Sequence, residues 1–383
     1  MLIKYVNKRS KTLKDIVLTI AITLLKIIAN LVYYILKIFP IKNKIVMITR
    51  QSNNSTLDFK LLKDYFEENY SNIEIKILAK QLNNGILNKI KYTFYILKIM
   101  YHLATAKVCV LDGYCIPVSI LKHKNKLKII QIWHSSAAIK KFGYQILDKK
   151  EGSNSKIVEL MCMHKNYDYA IAPSKATKTY FSKAFNIDQN NIKILGLPRL
   201  EYISDPKYDK SIEIYKDYSK LKEKKNILYV PTFRKNSNVN LTEEILNTKI
   251  DLNKYNLIIK LHPLDNTEVP KEYLIDNKYS TFDLIKIADY IVTDYSALSV
   301  EASILNKPII FLLNDLEEYN ENRGLNVSLK DEVSSFICKT FNEVIDKIEK
   351  KSYNMEELYN YRKKYIEVNE KNTIKELAEF IIS

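Results

Sequence analysis

Glycine and proline are scarce in this 383-residue chain, at 6 and 9 residues, which excludes collagen-like and mucin-like architectures. Cysteine is scarce too. Cys109, Cys115, Cys162 and Cys338 are scattered, with no Cys-x-x-Cys pair and no histidine at metal-ligand spacing. Neither a disulfide scaffold nor a zinc site is expected, and a reducing cytosol fits. The glycine-based nucleotide motifs are missing: there is no GxxxxGK[ST] and no GxGxxG. No Asp-x-Asp pair follows a strand, which argues against a dedicated Mg²⁺ site, and no GxSxG elbow marks a serine hydrolase. No metal and no cofactor is therefore expected, and bound phosphate has to be met by protein cations and helix ends.

Basic residues are plentiful, 60 Lys+Arg against 44 Asp+Glu, for a net charge of +16. Apolar residues at 46% and aromatics at 11% exclude a disordered chain, and the length suits two cores. A basic two-domain enzyme, a nucleic-acid binder and a protein held at an anionic membrane remain. Residues 1–50 hold ten Lys/Arg and one acid, Asp15, so +9 of the +16 lies there. That charge surrounds an apolar helix rather than an aromatic-interleaved RNA face, which counts against nucleic acid as a partner.

The apolar stretch Ile16–Phe39 is long enough to span a bilayer. It is followed by Lys42 and Lys44 and not by a small-residue cleavage site, so it does not read as a signal peptide. Lys8, Thr12, Asp15, Thr19, Thr23, Lys26, Asn30, Tyr33 and Lys37 recur at steps of three or four, one polar stripe on a helix. A lysine at position 26 would be costly at the bilayer midplane. An amphipathic helix lying in the membrane interface is expected, with a true span and an ordinary buried helix as the alternatives.

Short β-branched runs then alternate with helical patterns. Strands are expected at Ile45–Thr49, Ile73–Ala79, Val108–Asp112, Ile129–Trp133, Tyr169–Ala172 and Ile192–Leu195, and again at Ile227–Val230, Leu257–Leu261, Tyr290–Thr293 and Ile309–Leu312. Such alternation reads as βαβ units and parallel sheets. The expected division is a helix over 1–40, a Rossmann-like acceptor domain over 41–200 and a Rossmann-like nucleotide-donor domain over 201–383. Two facing α/β domains of this kind leave a cleft at the carboxyl ends of their strands.

The residues at those strand ends suit a diphosphate and a hydroxyl nucleophile. His134 follows one strand, with Lys140 beyond it; an imidazole there has the pKa for a general base, and spacing alone suits a helix-capping histidine as well. Thr232 and Arg234 follow the next, a hydroxyl and a guanidinium for phosphate oxygens or an ordinary surface turn. Lys260 precedes His262, whose backbone Pro263 keeps extended. Thr293, Asp294 and Ser296 lead into a helix expected over Ala297–Leu305, with Ser296 as its cap and Glu301 one and a half turns in, either at a ribose hydroxyl or in solvent. Arg323 lies in a later loop.

These residues together resemble the CDP-glycerol glycerophosphotransferase family of teichoic-acid primases and polymerases. The resemblance rests on Gln131-Ile132-Trp133-His134 with Lys140, Ala172-Pro173-Ser174, Gly196-Leu197-Pro198-Arg199, Tyr229-Val230-Pro231-Thr232-Phe233-Arg234, Lys260-Leu261-His262-Pro263, Thr293-Asp294-Tyr295-Ser296, Asn306-Lys307-Pro308 and Arg323-Gly324. It implies a GT-B fold, peripheral attachment to the cytoplasmic face of the membrane, a CDP-glycerol or CDP-ribitol donor, and a lipid-linked glycan or polyol-phosphate acceptor, in teichoic acid or capsule synthesis. Homo-oligomerisation is left open. His134 matches the family's proposed base and His262 its second imidazole; Thr232, Arg234, Lys260, Thr293, Ser296 and Glu301 fall where the family holds diphosphate and nucleoside. Ser135 replaces a usual glycine after Trp-His, and Glu301 a usual aspartate. A GT-B glycosyltransferase acting on a nucleotide sugar is the rival enzyme reading.

Overall fold

The computed structural model describes all residues except 1, 83–84, 233–244, 246–247, 249, 262–268, 271–272 and 276–277, together with all side chains in that set except those of 2–14, 86 and 89. Two six-stranded parallel sheets organise the chain. The first contains β1 (Lys44–Thr49), β2 (Glu74–Ala79), β3 (Val108–Leu111), β4 (Lys128–Gln131), β5 (Tyr169–Ala172) and β6 (Ile192–Ile194), in the order β2-β1-β3-β4-β5-β6. The second contains β7 (Lys225–Tyr229), β8 (Tyr255–Ile259), β9 (Leu274–Ile275), β10 (Tyr290–Thr293), β11 (Ile309–Leu312) and β12 (Ile337–Cys338), in the order β12-β11-β10-β7-β8-β9. Strands such as β1 and β11 are buried along their whole length, as parallel strands covered on both faces must be.

In the second sheet the order reverses between β7 and β10, and in the first between β1 and β3. Helices leave in opposite directions at such a switch point, and a crevice opens outside the carboxyl ends of the two strands. Every expected strand is present, and β9 and β12 add two short edge strands. β4 stops at Gln131 instead of Trp133, because Trp133 takes a left-handed backbone (φ 62°) that no ladder accommodates.

Around the first sheet lie α1 (Leu2–Leu36), α2 (Leu57–Asn69) and α3 (Ile86–Thr105). The helix α4 (Pro198–Ser204), started by a proline at its first position, leads toward the second domain. There α5 (Thr281–Ile287) opens with a Ser280/Asp283 capping box, followed by α6 (Leu298–Ala302) and α7 (Leu316–Asn322). The last helix, α8 (Thr373–Ile382), returns to the first domain: Leu377, Ala378 and Ile381 pack with Ile45, Met47 and Phe59. By packing, then, the end of the expected 201–383 domain belongs with the first one.

The polar stripe of α1 faces the protein. Lys26 Nζ donates to the Leu160 carbonyl (3.0 Å), Asn30 Nδ2 to the Ile120 carbonyl (3.0 Å) and Lys37 Nζ to the Lys122 carbonyl (3.2 Å). Tyr33 is buried and its hydroxyl lies 3.0 Å from His123 Nδ1. The opposite face, including Ile20, Leu24, Ile28, Leu31 and Ile35, is exposed. Beside it, α3 exposes Leu87, Ile90, Phe94 and Leu97, spaced along one side of that helix. Asp15–Leu36 is also long and apolar enough to cross a membrane, but its stripe is committed to the domain over three turns.

Candidate active site

A cavity of about 750 Å³ opens between the two domains at the carboxyl ends of the strands, lined by Trp133, His134 and Lys140 on one side and by Ser296, Glu301 and Arg323 on the other. Its size suits a nucleotide-sized ligand.

His134 enters this cavity from the end of β4 through a strained turn. The left-handed Trp133 is a bulky residue in a conformation costing on the order of 1–3 kcal/mol. The fully buried Gln131 side chain holds it there. Gln131 Oε1 accepts from Trp133 N–H (2.9 Å), while its Nε2 donates to the Gly113 carbonyl (3.1 Å). The indole stacks on Phe142 at 4.5 Å between centroids. His134 Nδ1 lies 3.0 Å from the Asp112 backbone carbonyl. A carbonyl only accepts, so Nδ1 carries the proton and Nε2 keeps its lone pair. Gln51 Nε2 lies 3.2 Å from the same Nδ1; with that amide turned over, its oxygen is a second acceptor for the Nδ1 proton. Burial pushes the imidazole pKa down to about 4, against the Asp112 hydrogen bond that favours the charged form, and the Arg199 and Arg323 charges push the same way as burial. The ring is therefore neutral near pH 7. An anionic substrate beside it would raise its basicity.

Arg199, on α4, connects this histidine to both domains. Its Nη1 donates to the His134 carbonyl (2.9 Å) and to Glu301 Oε1 (3.3 Å), and its Nε donates to Asp58 Oδ2 (2.9 Å). Nη2 pairs with the same Asp58 oxygen, and Arg199 N–H donates to Asp58 Oδ1 (2.9 Å). Burial opposes the guanidinium charge, but Asp58 and Glu301 outweigh it and hold the group protonated. Glu301 Oε1 also accepts from Ser136 N–H (3.1 Å). Burial raises the Glu301 pKa and Arg199 opposes that shift. Glu301 thus lines the cavity as the partner of an arginine and a backbone amide, neither solvated nor extended toward a sugar.

At the switch point of the second sheet, Asp294 is buried and accepts from both Thr232 N–H (3.0 Å) and Thr232 Oγ1 (2.5 Å). Lys140, from the first domain, donates to the same Thr232 hydroxyl at 2.9 Å. The segment after His134 is drawn into the second domain. Ala137 and Ile139 pack in its core, and Asn326 N–H donates to the Ile139 carbonyl (2.7 Å). Arg323 Nε donates to the Lys141 carbonyl (3.1 Å) and its Nη1 to Glu151 (3.1 Å).

The other expected residues lie as follows. Thr293 is fully buried and its hydroxyl donates to the Val230 carbonyl (2.8 Å), tying β10 to β7. Lys260 Nζ donates to the Tyr279 carbonyl (2.7 Å), beside Lys278 and Ser280 of the cavity wall. Ser296 lines the cavity and its Oγ accepts from Leu298 N–H (3.3 Å). The helix expected over Ala297–Leu305 is only Leu298–Ala302, followed by a 3₁₀ turn, and Ala297 holds its cap position. Ala297 is already helical in backbone, so the chain starts to wind one residue after Ser296. Arg234 and His262 lie outside the described residues. Among the described residues no group of three His, Cys, Asp or Glu side chains could hold a metal ion.

Arg199 and Asp58 were not singled out for a role. The Gly196-Leu197-Pro198-Arg199 run carried the one available signal, an arginine just inside a proline-started helix.

A family model for CDP-Glycerol:Poly(glycerophosphate) glycerophosphotransferase matches residues 31–383. The chain is 29% identical over 326 residues to a teichoic acid ribitol-phosphate primase of Bacillus spizizenii, covering 82% of this chain and 84% of that one. It is 28% identical over 340 residues to a teichoic acid glycerol-phosphate primase of Bacillus subtilis, covering 84% and 87%. In the structure of the wall teichoic acid polymerase TagF, a similar fold covers 96% of this chain and 97% of that one, with a TM-score of 0.69 at 18% identity. At that identity the likeness speaks for the fold.

Proposed function

The chain belongs to the CDP-glycerol glycerophosphotransferase family, and from that premise we propose how its cleft works. The protein is a transferase that moves an alditol phosphate from a CDP-alditol to an acceptor hydroxyl and releases CMP, in teichoic acid synthesis. The observation that carries the site assignment is His134: a neutral imidazole with its Nδ1 proton held by the Asp112 carbonyl, on the wall of the interdomain cavity.

His134 Nε2 takes the acceptor proton as the acceptor oxygen bonds to the β-phosphorus. The bond from that phosphorus to the oxygen bridging the two phosphates breaks, and CMP leaves with the electron pair. Lys140 and the Thr232 hydroxyl, anchored on Asp294, sit where charge on the departing phosphate would be met. Ser296, Arg323 and Lys260 support the donor from the second domain, with Glu301 holding Arg199 and the turn after His134. Thr293 acts through the strand it fastens. Arg234 and His262 join this set on the resemblance alone.

The acceptor is lipid-linked, and the protein lies on the cytoplasmic face of the membrane. The outward apolar faces of α1 and α3 support this, as does the docking of the α1 polar stripe on the domain. Incubating the purified chain with a lipid-linked acceptor and, separately, CDP-glycerol, CDP-ribitol or a UDP-sugar tests the reading. CMP release from a CDP-alditol is expected; turnover of the nucleotide sugar alone would overturn it.

A further inference from the structure

A second cavity, of about 840 Å³, lies between α1 and the loop preceding β4, at the amino ends of the strands and away from the catalytic cleft. Five lysines line it, Lys26, Lys37, Lys122, Lys124 and Lys165, against one carboxylate, Asp168. That carboxylate is already engaged by the Ile129 N–H at 2.7 Å. Lys26 and Lys37 are spent on backbone carbonyls, and Lys124 donates to the Phe39 carbonyl (2.7 Å). Burial and the neighbouring Lys37 charge both disfavour the charged form of Lys124. Lys122 and Lys165 are exposed on the rim. The cationic pocket thus holds more positive than negative side chains, and like charges gathered around one cavity are relieved by a bound anion.

The walls specify which anion. Ile27, Leu31 and Tyr34 belong both to this cavity and to the outward apolar face of α1. One ligand that meets both surfaces has a phosphate at one end and hydrocarbon at the other. We propose that this pocket binds the phosphate headgroup of an anionic phospholipid, whose acyl chains run along Ile27 and Leu31. The inference rests on the membrane reading of α1. It adds a discrete headgroup site to a helix that otherwise needs only apolar depth and diffuse charge.

The test uses the full chain and vesicles of phosphatidylcholine, with or without 30 mol% phosphatidylglycerol (about a third, enough to give a strongly negative surface potential). Partitioning is measured by flotation for the wild type, for Lys122→Ala/Lys165→Ala, and for Lys91→Ala/Lys98→Ala. The last pair removes the same charge from exposed positions beside the apolar face of α3, outside the pocket. Thermal melts verify that both variants fold. Diffuse attraction of about 1 kcal/mol per lysine predicts equal losses, roughly thirtyfold, for the two doubles. A headgroup site predicts a loss at least tenfold greater for the pocket double, and one lipid retained per wild-type chain in native mass spectrometry. Equal losses overturn the site. Equal wild-type binding to both vesicle types overturns it while leaving the membrane reading intact, and no binding to either removes both. Retention of inorganic phosphate but of no lipid in the same spectra would assign the pocket to a free anion and also overturn the proposal.

Discussion

Arg199 and Glu301 meet across the interdomain cleft, Nη1 to Oε1 at 3.3 Å, while the same Nη1 donates to the backbone carbonyl of His134 at 2.9 Å. A single guanidinium therefore fixes the turn that carries His134, the first domain through Asp58 and the second through Glu301. Breaking a buried ion pair from one side leaves an uncompensated charge, at a cost of about 3–5 kcal/mol.

Arg199→Ala is accordingly expected to lower the urea midpoint by that amount of stability and to abolish measurable CMP release. Asp58→Leu combined with Arg199→Met and Glu301→Gln removes all three charges and should recover much of the stability but little activity, since the His134 carbonyl still lacks its donor. Stability of Arg199→Ala within 1 kcal/mol of wild type (about one ordinary hydrogen bond) would contradict the bridging role.

How much of this was legible in the sequence depends on the range of the interaction. Strands such as Ile309–Leu312 announce themselves because a strand buried on both faces is a continuous apolar run. The α1 stripe was readable from its period, but not its direction: only the carbonyls of Leu160, Ile120 and Lys122 show that the stripe faces protein. Glu301 lies 102 residues from Arg199 and Asp58 lies 141 away, and no local pattern couples such positions. Ser296 is readable as a cap because serine before an apolar run usually is one, and its Oγ accepts from Leu298 N–H where the chain begins to wind at Ala297.

His134→Ala removes the proposed base and is expected to reduce kcat by roughly 10²–10⁴-fold with little change in the donor KM. Because the free imidazole titrates near pH 4, kcat/KM should stay level from pH 8 down to about pH 5 and fall only below that. An acid limb centred near 6.5, the ordinary histidine value, would show that the ring is solvated in the free enzyme.

Asp112 carries the opposite sign. Burial pushes its carboxyl up to about 7, with Thr49 opposing and Asp58 reinforcing the shift. The folded state then binds a proton that the unfolded state has released, so stability falls as pH rises from about 4 to 7. Asp112→Asn keeps the backbone carbonyl that holds His134 and removes the titrating group. This variant should be more stable than wild type at pH 8, and the difference should vanish near pH 4, as read from unfolding midpoints at the two pH values.

Gln131→Leu preserves bulk in the sheet but leaves Trp133 N–H and the Gly113 carbonyl without their partner. A loss of about 1–3 kcal/mol is expected, together with a fall in kcat and little change in donor KM, because the side chain sets the turn that presents His134. A KM effect alone would place Gln131 at the donor instead.

The membrane prediction turns on two helices acting as one surface. Leu31 and Ile35 on α1 and Phe94 on α3 are 62%, 61% and 68% exposed, so none of them contributes to the domain core and changing them should leave the melting temperature unaltered. Burying such a side chain in a bilayer is worth about 1.5–3 kcal/mol. Leu31→Ser and Phe94→Ser should each weaken partitioning to vesicles by roughly ten- to a hundredfold, and CMP release with a soluble acceptor analogue should persist. If only the α1 substitution matters, α3 stands clear of the lipid and the bilayer meets the protein along a single helix.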